Sequence, residues 1–201
     1  MKTKATNRLT QRQRLTSIRD IEKKYQVDLL LTYQTFSPDI RMEDLIGWQV
    51  QALNMMDKNS SCPRREDKRT VHAVYTHRDW FSGRTIFLQA IKYDNPKRFL
   101  LIRGVPSPSV LLSVISSMTS IGGWTRDCLI FDIPRGYKNR DIHTTLKVAS
   151  KIEGCKNIWV FLDWVPNIMD GLSWRFFICH MDEQQNTMSS LRELPLYVDS
   201  D

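Results

Sequence analysis

Apolar residues in this chain fall into two kinds of grouping, and the contrast between them sets the expected fold. Leu129-Ile130-Phe131-Asp132-Ile133-Pro134 and Trp159-Val160-Phe161-Leu162-Asp163-Trp164-Val165-Pro166 are short runs rich in β-branched and aromatic residues, each closed by proline. They are too short for helices and read as buried strands. Thr70–Tyr75, Phe99–Ile102 and Trp174–His180 read the same way, and Val27–Thr32 is strand-like. Between these runs the apolar positions recur at helical spacing. Met42, Leu45, Ile46, Leu53 and Met56 mark one helix, and Ile86, Phe87, Ala90 and Ile91 mark another over Arg84–Tyr93. Helices are also expected over Ser109–Met118, which Pro108 can open, and over Arg140–Ile152.

Strand–helix alternation of this kind implies a three-layer α/β fold, with a mostly parallel sheet and helices on both faces. Ahead of it, residues 8–25 read as a polar helix with Leu9, Leu15, Ile18 and Ile21 as a thin apolar seam. The organisation expected is an N-terminal extension over 1–41, an α/β domain over 42–182, and a polar, loosely held tail over 183–201. Asp57–Arg69 and Arg78–Gly83 read as exposed loops, and no repeat or low-complexity tract is present.

Charge changes the picture at one end. The chain of 201 residues carries a net +7, with 41% hydrophobic and 25% charged residues, ordinary values for a globular domain. Residues 1–26 hold Lys2, Lys4, Arg8, Arg12, Arg14, Arg19, Lys23 and Lys24 against Asp20 and Glu22, a net +6. A basic helical arm of this sort attracts phosphate backbones by counterion release, without sequence preference. It lacks the broad aromatic and leucine face of an interfacial helix, which argues against a membrane partner. The N-terminus also lacks the apolar core of a signal peptide, so an intracellular location is expected, in the nucleus or cytoplasm of a host cell. Cys62, Cys128, Cys155 and Cys179 are scattered, as are His72, His77, His143 and His180, so no zinc site is expected.

Candidate chemistry centres on the two strand-end aspartates. A carboxylate at the carboxyl end of a parallel strand faces the crevice where open α/β sheets bind ligands, a position suited to metal-phosphate chemistry. The segment from Val74 to Thr85 has the layout of a phosphate-binding loop, with a buried strand, a loop, and Gly83-Arg84-Thr85 opening the next helix. In such loops backbone N–H groups cradle phosphates, a cation reaches the outer phosphates, and a hydroxyl holds Mg²⁺. Here the first glycine is missing and arginine stands where lysine is usual. Arginine's planar fork does not reproduce lysine's point charge. Thr85 precedes Asp132 by 47 positions, where the acidic strand of a nucleotide site would fall.

Taken together, residues 45–181 resemble the superfamily-three helicase domain, an AAA+-like ATPase, of replication-initiator proteins of small circular single-stranded DNA viruses such as nanoviruses. Leu129 to Arg135 looks like that family's Walker B strand, which implies that Asp132 holds Mg²⁺ through water and polarises the attacking water. Lys156 to Pro166 looks like its sensor strand, with Asp163 where asparagine is usual. Ser173-Trp174-Arg175 looks like the segment bearing the arginine finger, so Arg175 would reach the γ-phosphate of a neighbouring subunit. Gly47-Trp48-Gln49 is similar to a Pro-Trp-Gln signature ahead of the loop.

The resemblance implies nucleotide binding through Gly83, Arg84 and Thr85, with Thr85 and Asp132 on Mg²⁺, and Asp132, Asp163 and Arg175 in catalytic positions. It also implies ATP as cofactor, a homo-oligomer, and a DNA or RNA partner. The altered loop implies weak hydrolysis or none, and the short interval from Pro134 to Asp163 leaves little room for a DNA-gripping hairpin. Two other readings stand beside it. One is a non-enzymatic nucleic-acid-binding or structural protein on a decayed P-loop fold. The other is a Mg²⁺-dependent nuclease using Asp132 and Asp163, with Asp79 or Asp170 as third carboxylate. Of the six tryptophans, Trp48, Trp124, Trp159, Trp164 and Trp174 lie in apolar segments and read as core, whereas Trp80 reads as exposed.

Overall fold

A computed structural model describes residues 11–29, 50, 52–54, 56, 70–75, 88, 97–162, 164, 173–182 and 187–194. Six strands form one sheet: β1 (Thr70–Tyr75), β2 (Phe99–Arg103), β3 (Cys128–Ile133), β4 (Asn157–Leu162), β5 (Ser173–Asp182) and β6 (Thr187–Leu194). Their spatial order is β2-β3-β4-β1-β5-β6. The first five are mutually parallel, and β6 returns antiparallel to β5 with a register shift between His180 and Met181. The fold is therefore α/β with a mostly parallel sheet, as the alternation implied.

Every residue of β3 and β4 is buried, and so are Phe99 to Ile102 of β2. Continuous apolar runs suit parallel strands covered on both faces, since no face is left to alternate with polar residues. Trp159, Phe131 and Phe161 are the largest fully buried side chains. Each contributes about 2–3 kcal/mol by leaving water. His72 on β1 stacks against its register neighbour Trp159 at 4.7 Å between ring centres.

Three described helices accompany the sheet: α1 (Gln11–Tyr25), α2 (Pro108–Ser120) and α3 (Asn139–Ala149). Ser107 caps α2, its Oγ accepting from the Val110 N–H at 3.4 Å, with Pro108 in the first turn. The helix buries Leu111, Val114, Ile115 and Met118. It ends where Gly122, at φ +65°, lets Gly123 donate back to the Met118 carbonyl and Gly122 to that of Thr119, the paired bonds of a Schellman turn. α3 buries Ile142, Thr145, Leu146 and Ala149 and packs against α2. It stops at Ala149 rather than at Ile152. Lys151 and Ile152 close tighter turns onto Val148 and Ala149, and Gly154 at φ +77° follows.

The helix of the extension docks through its apolar seam, since Ile18 and Ile21 of α1 belong to the common core and α1 packs on α2. Tyr25 Oη and Ser117 Oγ lie 3.4 Å apart across that contact. Two expectations are corrected. Val27–Thr32 does not form a ladder strand over its described part. The chain turns at Gln26, φ +52°, and pairs through a single antiparallel bridge from Asp28 to Arg103 on the outer edge of β2. The C-terminal tail contains β6, because the exposed edge of β5 offers a ladder that the polar sequence Thr187–Leu194 can complete with its backbone.

Among the described residues no helix is long and apolar enough to cross a membrane.

Candidate functional site

Parallel strands deliver the loops that follow them to one sheet edge, so the order of strands decides which loops meet. β1 sits between β4 and β5, yet the next strand in sequence, β2, lies at the far side beyond β4 and β3. The chain therefore leaves β1 in one direction and passes from β4 over to β5 in the other. Such a reversal opens a crevice at the carboxyl ends, the usual ligand position in open α/β sheets. The strand ends beside this reversal are Tyr75 of β1 and Leu162 of β4, which share a register, and Ile133 of β3.

Asp132 is the penultimate residue of β3, in register with Arg103 on one side and Phe161 on the other. It is 7% exposed, the sole acidic residue among the buried described side chains. Its backbone carbonyl accepts from the Gly104 N–H at 2.8 Å, which carries the ladder one step past β2. Burying a carboxylate is costly without partners, and Asp132 has further interactions of its own. β3 and β4 are parallel neighbours, as the paired-aspartate reading requires. Asp163 follows the last residue of β4 in sequence but lies outside the described residues, as do Gly83, Arg84, Thr85, Asp79, Asp170, Lys2, Lys4 and Arg8.

Arg175 is not brought to Asp132. It is the third residue of β5, in register with His72, and β4 and β1 separate β5 from β3. Three strand spacings make about 14 Å. Arg12 and Arg14 lie in α1, and Arg19, Lys23 and Lys24 are exposed on it. Among the described residues no three His, Cys, Asp or Glu side chains gather into a metal site. Cys128 and Cys155 are buried thiols outside any disulfide, and Trp124 and Trp159 are core.

Opposite edges of the sheet differ electrically. At the amino edge, Asp127 collects the cations. Lys156 Nζ lies 2.5 Å from its carboxylate, Arg98 Nε lies 3.9 Å away, and Thr125 Oγ1 donates at 2.8 Å. Partial burial pushes the Asp127 carboxyl up, but these hydrogen bonds and charges outweigh it and hold the group below its ordinary range. At the carboxyl edge, Arg103, Lys138 and Arg140 are exposed. Sequence reasoning gave no role to this second group. Its signal was the segment Pro134-Arg135-Gly136-Tyr137-Lys138-Asn139-Arg140, with three cations and no acid directly after an acidic strand.

The chain matches no known family model and no curated protein.

Proposed function

We propose that this protein is a nucleotide-binding, helicase-like α/β domain of viral or mobile-element origin that acts on nucleic acid and hydrolyses ATP weakly or not at all. One observation carries the reading: a buried aspartate at the carboxyl end of β3, in a sheet that sets β3, β4 and β1 side by side with the strand order reversing at β1. A phosphate loop after β1 would open into that crevice. The right-handed crossover rule supports a three-layer arrangement as well. The steps from β2 to β3, β4 and β5 all run one way and put α2 and α3 behind one face. The step from β1 to β2 runs the other way, so by the same rule the segment that holds the helical, buried Leu88 would cover the opposite face.

Asp132 fits a Mg²⁺-nucleotide as an oxygen donor sheltered from bulk water. A bound Mg²⁺ would offset phosphate charge there. Gly83, Arg84 and Thr85 are the residues proposed to hold the phosphates. Arg84 can meet them with a two-pronged hydrogen bond but does not place a compact charge at the transferring group. The exposed cations of α1 supply sequence-independent contacts to DNA or RNA, and Arg175 would serve a neighbouring subunit of an oligomer.

Titration of the protein with a fluorescent ATP analogue, with and without Mg²⁺, tests this reading. Weak Mg²⁺-dependent binding is expected, with Asp132→Asn removing the dependence and turnover near background. Turnover of about 1 s⁻¹ or faster would refute the degenerate-loop reading. No nucleotide effect at all, together with salt-sensitive nucleic-acid binding, would favour the non-enzymatic binding protein instead.

A further inference from the structure

Two segments that leave the carboxyl ends of β2 and β3 carry exposed cations and an exposed aromatic ring. Residues 103–107 and 134–140, the two segments that leave this edge, contain Arg103, Arg135, Lys138 and Arg140 and no acidic residue. Among the described residues, Arg103, Lys138 and Arg140 make no ion pair, in contrast to Lys156 and Arg98 on the opposite edge, which Asp127 occupies. Asp28, whose backbone bridges to Arg103, and Asp141, in the first turn of α3, are exposed and also make none.

The loops that present these cations are held in place. Thr145 of α3 donates to the Pro106 carbonyl at 2.7 Å, tying the loop after β2 to the helix that follows the loop after β3. Gly104 adopts φ +88°, and the hydroxyl end of Tyr137 rests against it, with Cζ 3.1 Å from where a Cβ would stand. Glycine is required at that position both for the backbone angle and for the approach of the ring. Tyr137 remains 39% exposed, one of two large apolar side chains so open among the described residues. A ring whose hydroxyl end rests against backbone, with part of its surface in water and the exposed cations Arg103, Lys138 and Arg140 on the adjoining segments, has the components that hold single strands by base stacking and phosphate contact.

We propose that Arg103, Tyr137, Lys138 and Arg140 form a binding surface for single-stranded polynucleotide, with the base of one nucleotide on Tyr137 and the flanking phosphates on the three cations. It deepens the nucleic-acid part of the reading above and adds a contact region separate from the basic helix α1. A flat aromatic platform is indifferent to base identity, so the surface is expected to prefer single strands over duplex without reading sequence.

Anisotropy of labelled 20-nucleotide oligo-dT and oligo-U with the full chain, across a salt series, tests the surface. Replacing Arg103, Lys138 and Arg140 together by alanine should lower the slope of log affinity against log salt by about 2, three contacts at about 0.7 each. Tyr137→Ala should weaken binding about fivefold or more at every salt concentration while leaving the slope unchanged, and Tyr137→Phe should bind like the parent. All four side chains are exposed, so melting temperatures should stay close to the parent's. An unchanged slope in the triple variant, or equal losses in Tyr137→Ala and Tyr137→Phe, would overturn the proposal. So would a triple variant that loses ATP-analogue binding but keeps the oligonucleotide slope, since the cations would then serve nucleotide phosphates. Failure of ATP binding in the parent leaves this surface untouched.

Discussion

Replacing Ile21 by alanine tests whether the basic N-terminal helix is part of the folded body. Ile18 and Ile21 are 5% and 6% exposed and sit in the same core cluster as the sheet, with α1 packed on α2. Isoleucine to alanine removes three carbons, about 2.4 kcal/mol at about 0.8 kcal/mol per buried carbon. A residual cavity adds to this, while inward relaxation of a surface helix subtracts, so about 2–3 kcal/mol is expected. For a chain of this size that corresponds to a fall of roughly 4–12 °C in melting temperature. Ile18 lies one turn away, so the double variant should cost less than the sum of the single ones. Urea unfolding followed by tryptophan fluorescence measures the difference, since Trp124 and Trp159 report from the core. Arg19→Ala and Lys23→Ala, on the exposed side, should stay within about 0.5 kcal/mol. An Ile21→Ala cost below about 0.5 kcal/mol would refute the docking. If docking holds, deleting residues 1–26 would uncover core on α2, and any loss of nucleic-acid binding would mix charge with damage. Replacing Arg19, Lys23 and Lys24 by glutamine isolates the charge, with an expected drop of about 2 in the single-strand salt slope.

Two further outcomes concern the sheet edges. Asp127→Asn should cost about 0.5–1 kcal/mol at pH 7, the range of partly exposed ion pairs. Because the folded group titrates below its unfolded value, its contribution is present above about pH 4 and lost as pH falls through the folded pKa. Urea midpoints at pH 7, 5 and 3 should therefore converge for parent and variant, and a gap that widens on acidification would contradict the assignment. Gly104→Ala should cost more than Gly122→Ala. Both sites have positive φ, at about 1–2 kcal/mol of strain, but of the two only Gly104 has a neighbour that a Cβ would meet, the hydroxyl end of Tyr137. Equal losses would mean that the ring moves away freely.

Five of the six strands were legible because parallel strands covered on both faces write themselves as short unbroken apolar runs. Leu129 to Ile133 and Ile158 to Leu162 have no other simple interpretation. β6 was not legible. Met188, Leu191 and Leu194 fall three apart rather than two, and the register shift at His180/Met181 disrupts the alternation an edge strand would show. The docking of α1 was hidden for a different reason. Ile18 and Ile21 make so narrow a seam on so charged a helix that local composition outweighed it, and only the partner surface of α2 reveals its purpose. At the candidate site, Asp132 was marked by a lone acid inside an apolar run. Gly104 and Tyr137 lie 33 positions apart in sequence, and their approach depends on the pairing of β2 with β3 and on the backbone angle of Gly104, neither of which is visible in either segment alone.

The position of β1 has a consequence for how the molecule comes into being. Val71 pairs with Ile158 and Thr70 with Ser173, so both neighbours of this strand are synthesised 87 and 103 residues after it. At about 5–20 residues per second, β1 waits roughly 4–20 seconds for the first of its ladders. During that interval β2 and β3 can pair with each other across short local connections, whereas β1 has apolar faces and two open edges. The nascent chain is thus most exposed to aggregation and to chaperone capture between the emergence of Thr70 and that of Leu162, and a stop anywhere before β4 leaves a product with its central strand unpaired.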